Sequence, residues 1–151
     1  MSTWSPTLNT FLENMMKEKY PAEDPDVETL RKVLTPLSDQ QRFDTLQLFY
    51  PDCGYSPGWI PLQWAARWGH TEIVKMILDC LTADQQIQLM SAQDYEGETA
   101  IQLAERYRNT DTQRVLREYR HRAEQIQLQQ EEEEEKRRLY QYRKSLSGKV
   151  I

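Results

Sequence analysis

Apolar residues recur at three- and four-residue steps along most of this chain, the spacing that places one face of an α-helix against a core. Leu8, Phe11, Leu12, Met15 and Met16 follow it first, and the helix they predict stops near Tyr20-Pro21. Pro21-Ala22-Glu23-Asp24-Pro25 reads as a turn, after which Asp26 can cap a helix with Leu30, Val33 and Leu34 facing inward. The clearest pattern runs from Gly58 to Leu78. Pro61 stands at a helix start, where it loses no hydrogen bond and brings a φ that is already helical. Leu62, Ala65 and Ala66 share a face, and the small alanines let a neighbouring helix approach closely. Gly69 supplies the left-handed stop. Thr71 can cap a second helix whose buried stripe is Val74, Ile77 and Leu78. A helix–turn–helix hairpin is predicted.

The pattern repeats. Asp26 to Leu34 aligns with His70 to Leu78 at an offset of 44 residues, and the register continues with Gln41-Arg42-Phe43 on Gln85-Gln86-Ile87. Pro36 to Phe43 and Leu81 to Ile87 each read as a short capped helix in the connection. Further on, Gly97 to Tyr107 aligns with Gly58 to Trp68, and Thr110 to Leu116 with Thr71 to Ile77. Arg108-Asn109 then replaces Gly69-His70, and Asn109 is expected to take the left-handed conformation. Turn-rich loops precede both copies, at Tyr50 to Pro57 and at Gln93 to Gly97. About three hairpins result, at 8–35, 58–79 and 97–119, near the minimum for a stack in which no repeat buries its face alone.

The central stretch also resembles an ankyrin repeat, whose hallmark is a Gly-x-Thr-Pro-Leu-His-x-Ala-Ala-x-x-Gly-His-x-Glu-Ile-Val-like run. Gly58, Pro61, Leu62, Ala65, Ala66, Gly69, His70, Glu72, Ile73 and Val74 match it; Ile60 stands in place of threonine and Gln63 in place of histidine. The resemblance is close over 58–79, fainter over 94–117, and slight before residue 26. It implies an all-α fold, a short ankyrin-type stack spanning 1–119. It also implies non-catalytic protein binding on a concave surface of loop tips and inner helices. Carried over position by position, that surface is Ser56, Trp59, Arg67 and Trp68 from one copy and Tyr95, Glu98, Arg106 and Tyr107 from the next. Tryptophan, tyrosine and arginine are the residues most enriched in interface hot spots. The competing reading packs Trp59 and Trp68 against the first repeat. Trp64 aligns with Leu103 between core positions and is assigned to packing.

After Tyr119 the chain changes character. Leu116, Tyr119, Ala123 and Ile126 form an apolar seam that ends at Gln130 and Glu133. Glu132–Lys136, Glu133–Arg137 and Glu134–Arg138 stand four apart with the acid first, an order worth about 0.2–0.5 kcal/mol per pair. One helix over 111–145 is predicted, its first third packed on the stack and its remainder, through residue 146, charged and solvated, with 147–151 a flexible tail. A coiled coil is a weaker reading, because the seam lasts too few heptads. Self-association through 111–145, as an assembly or scaffold protein, is the alternative function.

Charge narrows the partners. The formal net charge is -5; residues 1–110 carry 9 Lys/Arg against 16 Asp/Glu, and 111–151 carry 10 against 8. An acidic body argues against nucleic acid, and the basic cluster at Lys136-Arg137-Arg138 is offset by the adjoining glutamates. No run approaches the roughly 18 apolar residues of a membrane helix, and residues 1–20 lack a signal-peptide pattern. Cys53 and Cys80 have no second pair, so two reduced thiols in a cytoplasmic compartment are expected. His70 and His121 are the only histidines, the five glycines are scattered, and no nucleophile–base pair is visible. No enzyme activity, metal or cofactor is expected, and a pocket uniting Cys53 with His70 would reverse that. Asp94, Glu96 and Glu98 read as solvated turn acids.

Overall fold

The computed structural model describes residues 5–17, 27–48, 50 and 58–148. Among them the chain forms eight α-helices and no strand: α1 (Pro6–Met16), α2 (Val27–Leu34), α3 (Asp39–Leu46), α4 (Pro61–Trp68), α5 (Thr71–Asp79), α6 (Ala83–Ser91), α7 (Ala100–Arg106) and α8 (Thr110–Ser147). The expected stop near Tyr20-Pro21, the Asp26 cap, most of the loop before Gly58 and the tail from residue 149 lie outside the described residues. Helices α1, α4 and α7 stack in one layer, α2, α5 and α8 in the other, and α6 packs on α8. One core runs through both layers, from Leu8 and Leu30 through Leu62, Trp64, Ile73 and Ile77 to Leu103 and Leu116.

The 44-residue repeat is built into the hydrogen bonding of the connections. Ser38 Oγ accepts the Gln41 N–H at 3.2 Å while the Gln41 side chain accepts the Ser38 N–H at 3.0 Å. Thr82 and Gln85 make the same reciprocal pair, at 3.3 and 3.0 Å. These are capping boxes, and they fix where α3 and α6 begin. Each short helix then closes the helix before it. Arg42 Nε donates to the Leu34 carbonyl at 2.8 Å, and Gln86 Nε2 to the Leu78 carbonyl at 2.7 Å. Helix-end carbonyls lack partners within their own helix, so a side chain arriving from the next element satisfies them.

Two local expectations fail at the hairpin turns. Arg108, not Asn109, is left-handed, with φ 58°, while Asn109 has φ -83°. The reason is non-local: Asn109 Nδ2 donates to the Ala66 and Arg67 carbonyls at 2.8 and 2.9 Å, closing the end of α4. That reach fixes Asn109 one position beyond the turn and leaves the strained conformation to Arg108. A left-handed non-glycine residue costs roughly 1–2 kcal/mol, partly offset by the greater chain entropy glycine loses on folding. Arg108→Gly is therefore expected to stabilise the protein by about 0.5–1 kcal/mol, read as a higher urea midpoint at unchanged m. Thr71 does not cap α5 either. The helix begins at Thr71, whose hydroxyl lies 2.9 Å from that of Thr112, pairing α5 with α8.

Along α8, Thr112, Val115, Leu116, Tyr119 and Ala123 are buried, and Gln127 Nε2 reaches Asp84 at 2.7 Å. Ile126, expected in the seam, is 43% exposed. Every described residue from Leu128 on is exposed. Of the three expected ion pairs, Glu134–Arg138 forms at 3.5 Å. No helix among the described residues is long and apolar enough to cross a membrane.

Tyr119 ties α8 to the end of α5. Its hydroxyl donates to Asp79 Oδ1, and Arg122 lies 4.4 Å over its ring. Burial, then the bond to Asp79 and the charge of that carboxylate, push the phenol from 10.0 up to about 12. Burial pushes the neighbouring Cys80 thiol from 9.0 up to about 11, against the pull of Arg42. Both groups hold their protons more tightly when folded. Their contribution is complete below the unfolded values and is lost as pH rises through the folded ones. Unfolding free energy should fall between pH 9 and 11 on account of Cys80 and between pH 10 and 12 on account of Tyr119. In urea titrations at stepped pH, Cys80→Ala should flatten the first interval and Tyr119→Phe the second; wild-type slopes in both variants would refute the assignment.

Candidate functional site

The carboxyl ends of α4 and α7 are locked side by side by polar side chains that cross between the hairpins. Asn109 does this at the end of α4. At its start, Gln63 accepts the Ile60 N–H at 2.9 Å and donates to the Ala92 carbonyl at 3.0 Å. Gln63 is buried, so both bonds are made away from water. The departures at positions 60 and 63 therefore leave the first turn of α4 closed, with the reciprocal bond from an Ile60 side chain missing. At the start of α7 the pair is complete: Thr99 N–H to Gln102 at 2.8 Å, and Gln102 N–H to Thr99 at 3.4 Å.

This packing brings five of the expected surface residues together. The Arg67 guanidinium lies 4.2 Å from the Trp68 ring centre and 3.4 Å from that of Tyr107. Arg106 also lies over the Tyr107 ring, at 5.5 Å from its centre. Glu98 and Glu96 both receive Arg106, the latter at 3.3 Å. Tyr107 first, then these carboxylates, hold the Arg106 guanidinium above its ordinary value, so it is a permanent cation. Trp68 and Tyr107 are half-buried, with one side of each against the core cluster. The result is a continuous strip, Trp68–Arg67–Tyr107–Arg106–Glu98, drawn from two hairpins.

Trp59 and Tyr95 are placed differently. Trp59 was expected at the loop tip, but it is buried, and its indole N–H donates to Asp94 Oδ2 at 3.0 Å. The bond turns the ring inward. Asp94 is buried too, and its other oxygen accepts the Glu96 and Glu98 N–H groups, both at 2.9 Å. The expectation of a solvated turn acid fails at this position because the carboxylate fills with local and cross-repeat donors. Tyr95 stands at the tip, 68% exposed, its ring over Gly58. A Cβ on Gly58 would lie 2.7 Å from the end of the exposed Tyr95 ring, which can swing aside; the φ of 78° is what favours glycine there. Ser56 and Cys53 lie outside the described residues.

A family model described as ankyrin repeats, in three copies, matches residues 37–129, more than half of the chain. The chain belongs to the ankyrin-repeat family. No curated protein and no solved structure matches it significantly. Ankyrin repeats are in general non-catalytic modules for protein–protein interaction. The match begins before α3 and ends within α8, leaving α1 and α2 outside it.

A cavity of about 350 Å³ in this ankyrin stack lies between α2, α3 and α5, with Arg31, Arg42, Lys75, Met76 and Cys80 in its wall. Its thiol is a poor nucleophile, since Cys80 donates to the Ile77 carbonyl at 3.1 Å and burial keeps it protonated. Two residues of the strip and its support, Glu96 and Asp94, were missed as functional in the sequence. The signal was present: Asp94 followed by Gly97 is turn chemistry, in which an aspartate binds its own backbone ahead.

Proposed function

We propose that the chain binds a protein partner, without catalysis, on the face formed by Arg67, Trp68, Tyr95, Glu98, Arg106 and Tyr107. The observation that supports it is the strip itself. Two half-buried aromatic rings, Trp68 and Tyr107, are drawn from two successive repeats and ordered by Arg67, which lies over both. Such anchors release much apolar area to a partner and lose little entropy in doing so. Ser56 joins the proposed face by register, and Trp59 serves it from beneath. In this proposal 1–119 is the repeat body of a cytoplasmic protein, with α1 and α2 as its opening hairpin, and the helix beyond it is an extension, packed through Ala123 and solvated from Leu128.

The test is affinity capture with mass spectrometry, comparing wild type with Trp68→Ala/Tyr107→Ala after circular dichroism has shown the variant folded. A partner held by wild type and lost by the variant supports the face. A partner held equally by both refutes it and moves the function elsewhere. The second reading, self-association through α8, is favoured by Leu139, Tyr142 and Leu146, which lie exposed at three- and four-residue steps. Sedimentation velocity across a concentration series decides it, since a constant monomer mass would exclude it.

A further inference from the structure

Resting on the proposed binding face, we infer that Arg67 is a carboxylate-recognition site that takes an aspartate or glutamate side chain of the protein partner. The second and third hairpins carry an arginine at the same register, Arg67 and Arg106, each followed by an aromatic residue, Trp68 and Tyr107. In the third hairpin the loop before α7 supplies its own acids, and Glu96 and Glu98 occupy Arg106. The corresponding residues of the second hairpin are Pro57 and Trp59, neither of which carries a charge. The Arg67 guanidinium makes no hydrogen bond or ion pair among the described residues; what holds it is its contact with the Trp68 and Tyr107 rings.

That environment suits a bidentate acceptor. A guanidinium stacked on rings keeps its N–H donors in its own plane, directed at the edges, where a carboxylate can take two at once. The rings fix the side chain beforehand, so little rotamer freedom remains to be lost on binding. They also offer apolar walls to the methylene stem of an acidic side chain. A doubly charged phosphate is less well served, because Arg106 is already neutralised and its two glutamates stand nearby. Arg106 with its glutamates is thus an internal copy of the contact that Arg67 awaits from outside.

The full chain can be panned against a phage library of random linear peptides joined to the coat protein through their carboxyl ends, so that no terminal carboxylate is offered. Selected peptides, remade with amidated ends, are titrated by fluorescence polarisation against folded wild type, Arg67→Gln, Arg67→Lys and Trp68→Ala. Peptides bearing an Asp or Glu are expected, bound roughly tenfold or more weakly by Arg67→Gln, with Arg67→Lys restoring part of the loss. Replacing the peptide's acid by its amide should weaken binding to wild type by a similar factor and to Arg67→Gln hardly at all. Peptides that depend on Trp68 but not on Arg67 would overturn acid recognition and leave the binding face standing. Peptides indifferent to both would overturn the two together. A selection without acidic peptides, or a preference for phosphorylated versions over acidic ones, would overturn the Arg67 assignment.

Discussion

Asp94→Ala is expected to lower the unfolding free energy by about 3 kcal/mol, the order expected when buried donors lose a charged acceptor. The carboxylate is 6% exposed and takes three N–H groups, from Trp59 at 3.0 Å and from Glu96 and Glu98 at 2.9 Å each. These bonds do not add independently. The Glu96 amide, on an exposed residue, can turn to water when the carboxylate goes, and the half-buried Glu98 amide can do so in part. The Trp59 indole turns to water far less readily, because the residue is buried. Most of the cost therefore falls on one stranded indole N–H and on the hole left in the loop. Trp59→Phe, which removes that donor along with its need for an acceptor, should cost less and should make the later loss of Asp94 cheaper. Urea denaturation of the two single variants and the double variant measures this coupling. Additive losses would mean that the pair does not hold the loop. Because Glu98 positions Arg106, the same substitution should also weaken binding at the proposed face.

The contrast between Trp59 and Trp68 shows what could be read from the chain and what could not. Trp68 sits at a helix position whose direction follows from the 3.6-residue period, and it lies half-buried against Arg67. Trp59 precedes the helix, where no period constrains the ring, and its direction is set by a carboxylate 35 residues further on. Arg108 and Asn109 make the same point. A local preference favours the left-handed asparagine, and the carbonyls of α4 override it from across the stack. The hairpins, the capped helices α3 and α6 and the long α8 were legible because each depends on neighbours three or four residues away. Ile126 was misjudged because the three- and four-residue spacing continues in sequence beyond Ala123, the last buried residue of α8. Arg67 was legible as the counterpart of Arg106 in the aligned hairpin. Its emptiness was not, since that needs the aligned Arg106 with both glutamates in place.

Trp64→Ala should produce the largest loss of stability, about 4 kcal/mol, since removing a buried tryptophan costs its transfer energy and leaves a cavity. Trp64 is 1% exposed and lies in the middle hairpin, its ring 5.0 Å from that of His70. A domain of this kind has roughly 5–15 kcal/mol to lose, so the variant should be partly unfolded in mild urea. Position makes the effect larger than the side chain alone. In a stack each hairpin is stable through its neighbours, so a weakened centre uncouples α1–α3 from α7–α8. The expected signature is a lower midpoint together with a shallower or two-step transition, whereas a cavity at either end would lower the midpoint alone. Trp64→Phe separates volume from polarity. The Trp64 indole N–H has no hydrogen-bond partner among the described residues, and an unpartnered buried donor carries a penalty of about 1–3 kcal/mol that phenylalanine does not. Trp64→Phe should thus cost much less than its lost volume suggests, on the order of 1 kcal/mol. A loss near that of alanine would show that the indole N–H is satisfied, by a buried water, and that the centre of the stack is held by polarity as well as by packing.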